Sequence, residues 1–183
     1  MKLLIIIISA IALIVIGFTA WPSTEVSEPD THSELIHTTS HNNQQPGNYP
    51  ITKTEAEWKE ILTASQYRVL RKGGTEFPYT NEYYDNKEEG IYACAACGQK
   101  LYSSATKYKS GTGWPSFWEP LDKSYVQEKE DNSLFMKRIE IVCSNCGSHI
   151  GHVFDDGPEP TGLRYCMNSA ALNFIAKSTS PSN

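Results

Sequence analysis

The sequence predicts a mainly β domain with short helices at its N-terminal edge, and three observations predict it. Short apolar stretches such as Gly90–Cys94 and Ile139–Val142 are separated by Gly, Pro and Asp turns, as in a domain built of many small strands. Aromatic residues make up 11% of the chain, a bias toward strands or an aromatic-lined pocket. Four of the five cysteines form two matched pairs, Cys94/Cys97 and Cys143/Cys146, each entered by an apolar strand.

Taken in order, residues 1–21 open with Lys2 and a nearly unbroken apolar run through Ala20. Such a run is a secretory signal or a membrane anchor. Cleavage after Ala20 would place Phe18 at the −3 position, where a small residue is wanted, so the uncleaved anchor, an apolar helix, is favoured. Lys2 before the run directs the rest of the chain out of the cytoplasm. Residues 22–50 are polar and Pro-containing and bury too little to order themselves, which makes them a flexible linker. The folded domain is expected over 51–176, with a polar tail at 177–183.

Within that domain, Thr54 and Glu57 have capping-box spacing, and Trp58, Ile61 and Leu62 recur at helical spacing, so a short helix is expected near 54–64. Thr63 or Ser65 caps a second helix through Tyr67, Val69 and Leu70, ended by Gly73-Gly74. Strands are expected over Gly90–Cys94, Lys100–Tyr102, Ser133–Val142, His149–Phe154, Arg164–Cys166 and Ala171–Ile175. The net charge is −5, and the part from Ile51 onward is close to neutral. No basic face is present for nucleic acid, which disfavours a zinc-ribbon nucleic-acid module.

The two pairs share the pattern Cys-x-x-Cys-Gly. A two-residue gap lets both sulfurs face one metal while the backbone turns back, and the trailing glycine supplies a positive φ. Two such knuckles offer four thiolates, the donor set of a closed tetrahedral zinc site. Disulfides or redox pairs are the alternatives, and an extracytoplasmic location raises the disulfide reading.

Cys166 has no partner of this kind. It lies between Arg164 and Asn168, which share its face if the stretch is a strand. A nearby cation lowers a thiol pKa and makes it a nucleophile, and His149 or His152, just past the second knuckle, would supply a proton. A buried, inert core thiol is the competing reading. Trp114, Phe117 and Trp118 follow a glycine-rich turn and form either an ordinary aromatic cluster or an apolar pocket wall for a small methyl-bearing group.

The motifs Tyr67-Arg68-Val69-Leu70, Gly74-Thr75-Glu76, Gly90-Ile91-Tyr92-x-Cys94, Ser110-Gly111-x-Gly113-Trp114-Pro115-Ser116-Phe117, Gly151-His152-Val153-Phe154-x-Asp156-Gly157-Pro158 and Leu163-Arg164-Tyr165-Cys166-x-Asn168-Ser169 occur in this order. Together they resemble the methionine-R-sulfoxide reductases over nearly all of Thr54–Ile175. The resemblance implies a zinc-stabilised, β-tent-like fold of two small antiparallel sheets. It implies structural zinc on Cys94, Cys97, Cys143 and Cys146, and a Cys166 thiolate that attacks sulfoxide sulfur and becomes a sulfenic acid. It further implies that His149, His152 and Asn168 handle the oxygen, that Arg164 and Asp156 shape the charge, and that Trp114 and Phe154 bind substrate, Trp114 receiving its methyl group. Substrates would be oxidised proteins, and the enzyme a membrane-tethered monomer. Many family members carry a second reactive cysteine where this chain has Thr112, so a thioredoxin-like or small-thiol reductant is expected to act directly on Cys166. A zinc-stabilised β-module that binds an oxidised peptide without turnover is the competing function, and it would need no nucleophile.

Overall fold

The computed structural model describes residues 48–133 and 136–178. The expected apolar segment, the linker through residue 47 and the tail from 179 lie outside them. Among the described residues no helix is long and apolar enough to cross a membrane.

Among the described residues two short helices come first. α1 (Glu55–Ile61) and α2 (Ala64–Lys72) each begin with a complete capping box, Thr54 with Glu57 and Thr63 with Gln66. Each box satisfies two otherwise unpaired groups of the first turn, which lets helices this short persist. Gly73 ends α2 at φ +63°, in the left-handed region. Trp58, Val69 and Leu70 turn inward and are almost fully buried.

Nine strands follow among the described residues: β1 (Gly90–Cys94), β2 (Lys100–Ser103), β3 (Lys107–Tyr108), β4 (Ser116–Phe117), β5 (Val126–Asp131), β6 (Arg138–Cys143), β7 (His149–Phe154), β8 (Arg164–Met167) and β9 (Leu172–Ala176). They form a three-stranded sheet, β2-β1-β9, and a six-stranded sheet, β3-β4-β8-β7-β6-β5. Every pairing is antiparallel. The mainly β class and the two-sheet arrangement hold.

One expected strand needs correction. The stretch Ser133–Val142 does not run as one strand; pairing starts at Arg138, and the preceding partner is β5. The Asp131 carboxylate accepts from the Ser133 N–H at 2.9 Å, and this local turn ends β5 before β6 can begin. β5 does not stand out in the sequence because its four central positions are exposed and include Glu128, Lys129 and Glu130. An edge strand gains from such charges, which discourage pairing with another chain.

The core lies between the sheets and under the helices. Tyr102 of β2 stacks on Phe117 of β4, with ring centroids 4.6 Å apart, and Tyr92 of β1 meets Phe117 edge-on. Tyr165 and Met167 of β8 point into this core. Strand alternation therefore sends Arg164 and Cys166 to the opposite face of the six-stranded sheet, where the candidate chemistry lies.

Candidate active site and metal centre

The four paired cysteines converge. Their sulfurs all lie within 4.8 Å of one another, with Cys94 Sγ 3.8 Å from Cys146 Sγ and Cys97 Sγ 3.6 Å from Cys143 Sγ. A disulfide needs about 2.05 Å, so these are free thiols. Tetrahedral zinc with Zn–S bonds of about 2.3 Å spaces its sulfurs by about 3.8 Å. The donor set therefore fits zinc in both chemistry and spacing. Gly98 at φ +77° and Gly147 at φ +68° close the two turns, as Cys-x-x-Cys-Gly predicts. Asn145 Nδ2 sits 3.7 Å from Cys97 Sγ, a donor for a thiolate. Cys94 belongs to β1 and Cys143 to β6, so an ion here would tie the two sheets together.

The second site is a row across the large sheet. Residues directly opposed in antiparallel strands share a face. Tyr108 opposes Ser116, Ser116 opposes Cys166, Cys166 opposes His152, and His152 opposes Glu140. Backbone pairing alone thus lines up a phenol, a hydroxyl, a thiol, an imidazole and a carboxylate. Cys166 is partly exposed, and its sulfur lies 3.8 Å from Thr112 Oγ1. Ser110 links the neighbouring hydroxyls, 2.9 Å from Thr112 and 2.7 Å from Ser116.

His149 and His152 are three residues apart, so simple alternation would put them on opposite faces. A bulge reverses that. Ile141 opposes Gly151 and Val142 opposes His149, which leaves Ile150 as an extra residue in β7. The inserted residue shifts the alternation by one and brings both imidazoles to the same face, 5.3 Å apart. His149 Nδ1 meets Glu140 Oε1 at 2.6 Å, while its Nε2 is buried without a partner among the described residues. His152 Nε2 meets Asp131 Oδ2 at 2.8 Å. Burial holds the His152 imidazolium below its usual range, against the pull of Asp131.

Arg164 donates two bonds to Asp156, at 2.8 and 2.9 Å, and lies over the Phe154 ring at 4.3 Å. Phe154 therefore acts as a platform for the guanidinium. The expected lowering of the Cys166 pKa is not found. Burial pushes the thiol up, and Thr112, Arg164 and Ser116 offset only part of that.

The alignment of these groups gives the comparison with known proteins its meaning. The SelR domain family matches residues 62–176. A peptide methionine sulfoxide reductase MsrB of Methanosarcina mazei is 63% identical over 124 residues, spanning 68% of this chain and 89% of that protein. The MsrB of Leptospira interrogans is 55% identical over 127 residues, covering 69% of this chain and 97% of its own length. The chain belongs to the MsrB family. As a member of it, the chain is an enzyme of the oxidoreductase class. A two-part MsrA/MsrB protein of Vibrio cholerae is 60% identical over 127 residues that make up 34% of its length.

In this MsrB-family chain, several expected residues are placed differently from the rest. The Asn168 side chain is buried and spans two backbone groups: it donates to Ile150 O at 3.1 Å and accepts from Glu76 N at 3.2 Å. It ties β7 to the segment that carries Glu76. Trp114 donates its indole N–H to Glu76 O at 3.2 Å, and the Glu76 carboxylate accepts from the N–H groups of Ser169 and Ala170. Glu76, Asp131 and Glu140 were not singled out from sequence as site residues. Acidic residues abound in the chain, and only the sheet pairing and its bulge show which of them face a histidine. The Ser110–Ser116 hydroxyl pair was equally hidden, because it depends on how the 110–116 loop closes.

Proposed function

We propose that this chain reduces the R epimer of protein-bound methionine sulfoxide through Cys166, with no second cysteine of its own in the cycle. The observation that carries this is the cross-strand register that seats Cys166 between His152 on one side and Ser116 on the other. A lone sulfur beside imidazoles, on a face opposite the core, is arranged for reaction rather than packing.

The Cys166 sulfur attacks the sulfoxide sulfur, and the oxygen passes to Cys166. The substrate sulfur gains two electrons and leaves as methionine; the cysteine sulfur loses two and becomes a sulfenic acid. A neutral thiol supplies the proton that ends on the sulfenic oxygen, so the raised pKa of Cys166 is compatible with this balance. His149 and His152 relay that proton, because the sulfoxide oxygen becomes a leaving group only once it is protonated. Glu140 holds the His149 ring so that its unpartnered Nε2 is left for the oxygen. Trp114 receives the substrate methyl group.

An external thiol then attacks the sulfenic acid, forming a mixed disulfide and water, and a second thiol restores Cys166. The four sulfurs of the metal cluster are already committed, and Thr112 rather than a cysteine stands 3.8 Å from Cys166. Zinc on Cys94, Cys97, Cys143 and Cys146 would hold the β6–β7 turn and supply no reactive chemistry. The chain works outside the cytoplasm, tethered by its apolar N-terminal segment, as a monomer.

The test offers each methionine sulfoxide epimer separately, with dithiothreitol, to the zinc-loaded protein. Consumption of the R epimer alone, lost in Cys166→Ser, is expected. A folded, zinc-loaded protein inert toward both epimers would instead make this a peptide-binding module.

A further inference from the structure

We infer that Tyr108 is a further catalytic residue: its phenol donates a hydrogen bond to the oxygen carried on Cys166 after transfer and retains the sulfenic acid until an outside thiol arrives. This deepens the function proposed above and rests on it.

Tyr108, Ser116 and Cys166 are successive partners across β3, β4 and β8, so their side chains project from one face. Two strand spacings separate Tyr108 from Cys166, about 10 Å between Cα atoms. Only the small Ser116 side chain stands between them in the row, and it turns to Ser110 and Trp114 O. The Tyr108 hydroxyl is shut off from solvent and has no hydrogen-bond partner among the described residues. A buried hydroxyl left unpaired is costly, and an oxygen on Cys166 Sγ would give it an acceptor. The phenol lies where the charges of Arg164, Asp156 and Cys166 act on its ionisation, and burial keeps it protonated and thus a donor.

The surroundings of Cys166 are therefore divided. Imidazoles on β7 lie on one side, suited to the oxygen while it is leaving the substrate. On the other lie the hydroxyls of Thr112, Ser116 and Tyr108, suited to the oxygen once it sits on the cysteine. This second set matters because of the chain's own composition. With four cysteines gathered at the metal centre, a sulfenic acid on Cys166 must survive between encounters with a separate reductant. In that interval, hydrogen peroxide converts it to a sulfinic acid, adding one oxygen and releasing water, and that product is not recovered by thiols.

The experiment gives the full zinc-loaded chain, and its Tyr108→Phe variant, one equivalent of R-sulfoxide without reductant. Methionine released is counted first, and the sulfenic acid is then followed by trapping with a dione and by intact mass. A stoichiometric release of methionine shows that a protein is folded and that the first step occurs. In Tyr108→Phe the sulfenic acid is expected to decay, and to over-oxidise under added peroxide, about two- to tenfold faster, the effect of one hydrogen bond. Equal lifetimes in the two proteins, with methionine released by both, would overturn the role of Tyr108 and leave the reductase reading intact. Absence of methionine release from the unmodified protein would instead overturn the reductase reading itself.

Discussion

This domain keeps its five cysteines in two regions governed by opposite rules. At the candidate metal centre, four sulfurs lie within 4.8 Å of one another, two pairs of them meeting across the turns at 3.6 and 3.8 Å, and each side of the cluster belongs to a different sheet. At the reactive face, a single sulfur has no sulfur partner and is ringed by hydroxyls, two imidazoles and an arginine–aspartate pair. The sulfurs that meet one another offer the donor set of a structural metal; the sulfur that meets proton donors is the candidate nucleophile. The second knuckle connects the regions, because β7 leaves it carrying His149 and His152 to Cys166. Stability and chemistry should therefore separate under mutation, except along β7.

The largest effects come from exchanging the two kinds of cysteine. Cys166→Ser should reduce turnover to the uncatalysed background while leaving bound zinc and melting temperature unchanged. Cys143→Ser should release zinc and lower the melting temperature by about 10 °C or more, since structural zinc contributes folding free energy outright. Metal content, calorimetry and turnover measured on both variants check this, and loss of zinc in Cys166→Ser would break the separation.

Next is the seam between β7 and β8. A Cβ at Gly151 would come within 2.1 Å of Cys166 O and 2.9 Å of Met167 Cα, both backbone atoms that cannot step aside. Gly151→Ala should cost about 3 kcal/mol, as overpacking against fixed atoms does, and should also slow turnover, because the seam sets the His152–Cys166 register. Denaturant unfolding and steady-state rates measure the two effects. Intact activity would show that the register tolerates displacement.

A smaller effect is expected at Glu140. Hydrogen bonding to His149 is the main cause that holds its carboxyl below the usual range. Glu140→Gln keeps the shape and removes the charge. It should lower kcat/KM by about tenfold, a fraction of what general acid catalysis supplies, and should move the acidic limb of the pH–rate profile. An unchanged profile would place the proton relay on His152 alone.

The mildest test concerns the thiol itself. Alkylation of Cys166 by iodoacetamide should titrate above the ordinary value of 9.0, because burial raises its pKa. Arg164→Met removes a cation that lowers it, so the titration should move further up. A downward shift would show that Arg164 acts by packing on Phe154 rather than by its charge.

Much of this was legible in the residues. The first helix follows from a capping box that reads the same in sequence and in space, the second from a cap that the structure assigns to Thr63 and completes with Gln66, and the two Cys-x-x-Cys-Gly knuckles announce a four-sulfur site wherever the chain brings them together. β5 was missed because an edge strand is allowed the charged residues that disguise it. The sequence suggests a depressed Cys166 pKa, but burial, a property of the whole fold, outweighs the neighbouring arginine. Asn168 looked like a flank of the sulfur because the strand seemed to continue; β8 ends at Met167, and the amide turns to Ile150 and Glu76 instead.

By itself the sequence picked out the candidates for the chemistry: four paired cysteines, one unpaired, and two histidines after the second Cys-x-x-Cys-Gly turn. Local spacing decides such things, since a knuckle or a cap involves only a few adjacent residues. Only the tertiary structure decided which way those residues face. One extra residue, Ile150, flips the alternation of β7 and brings His149 beside His152. Pairing between strands distant in the chain then lays Tyr108, Ser116, Cys166, His152 and Glu140 in one row.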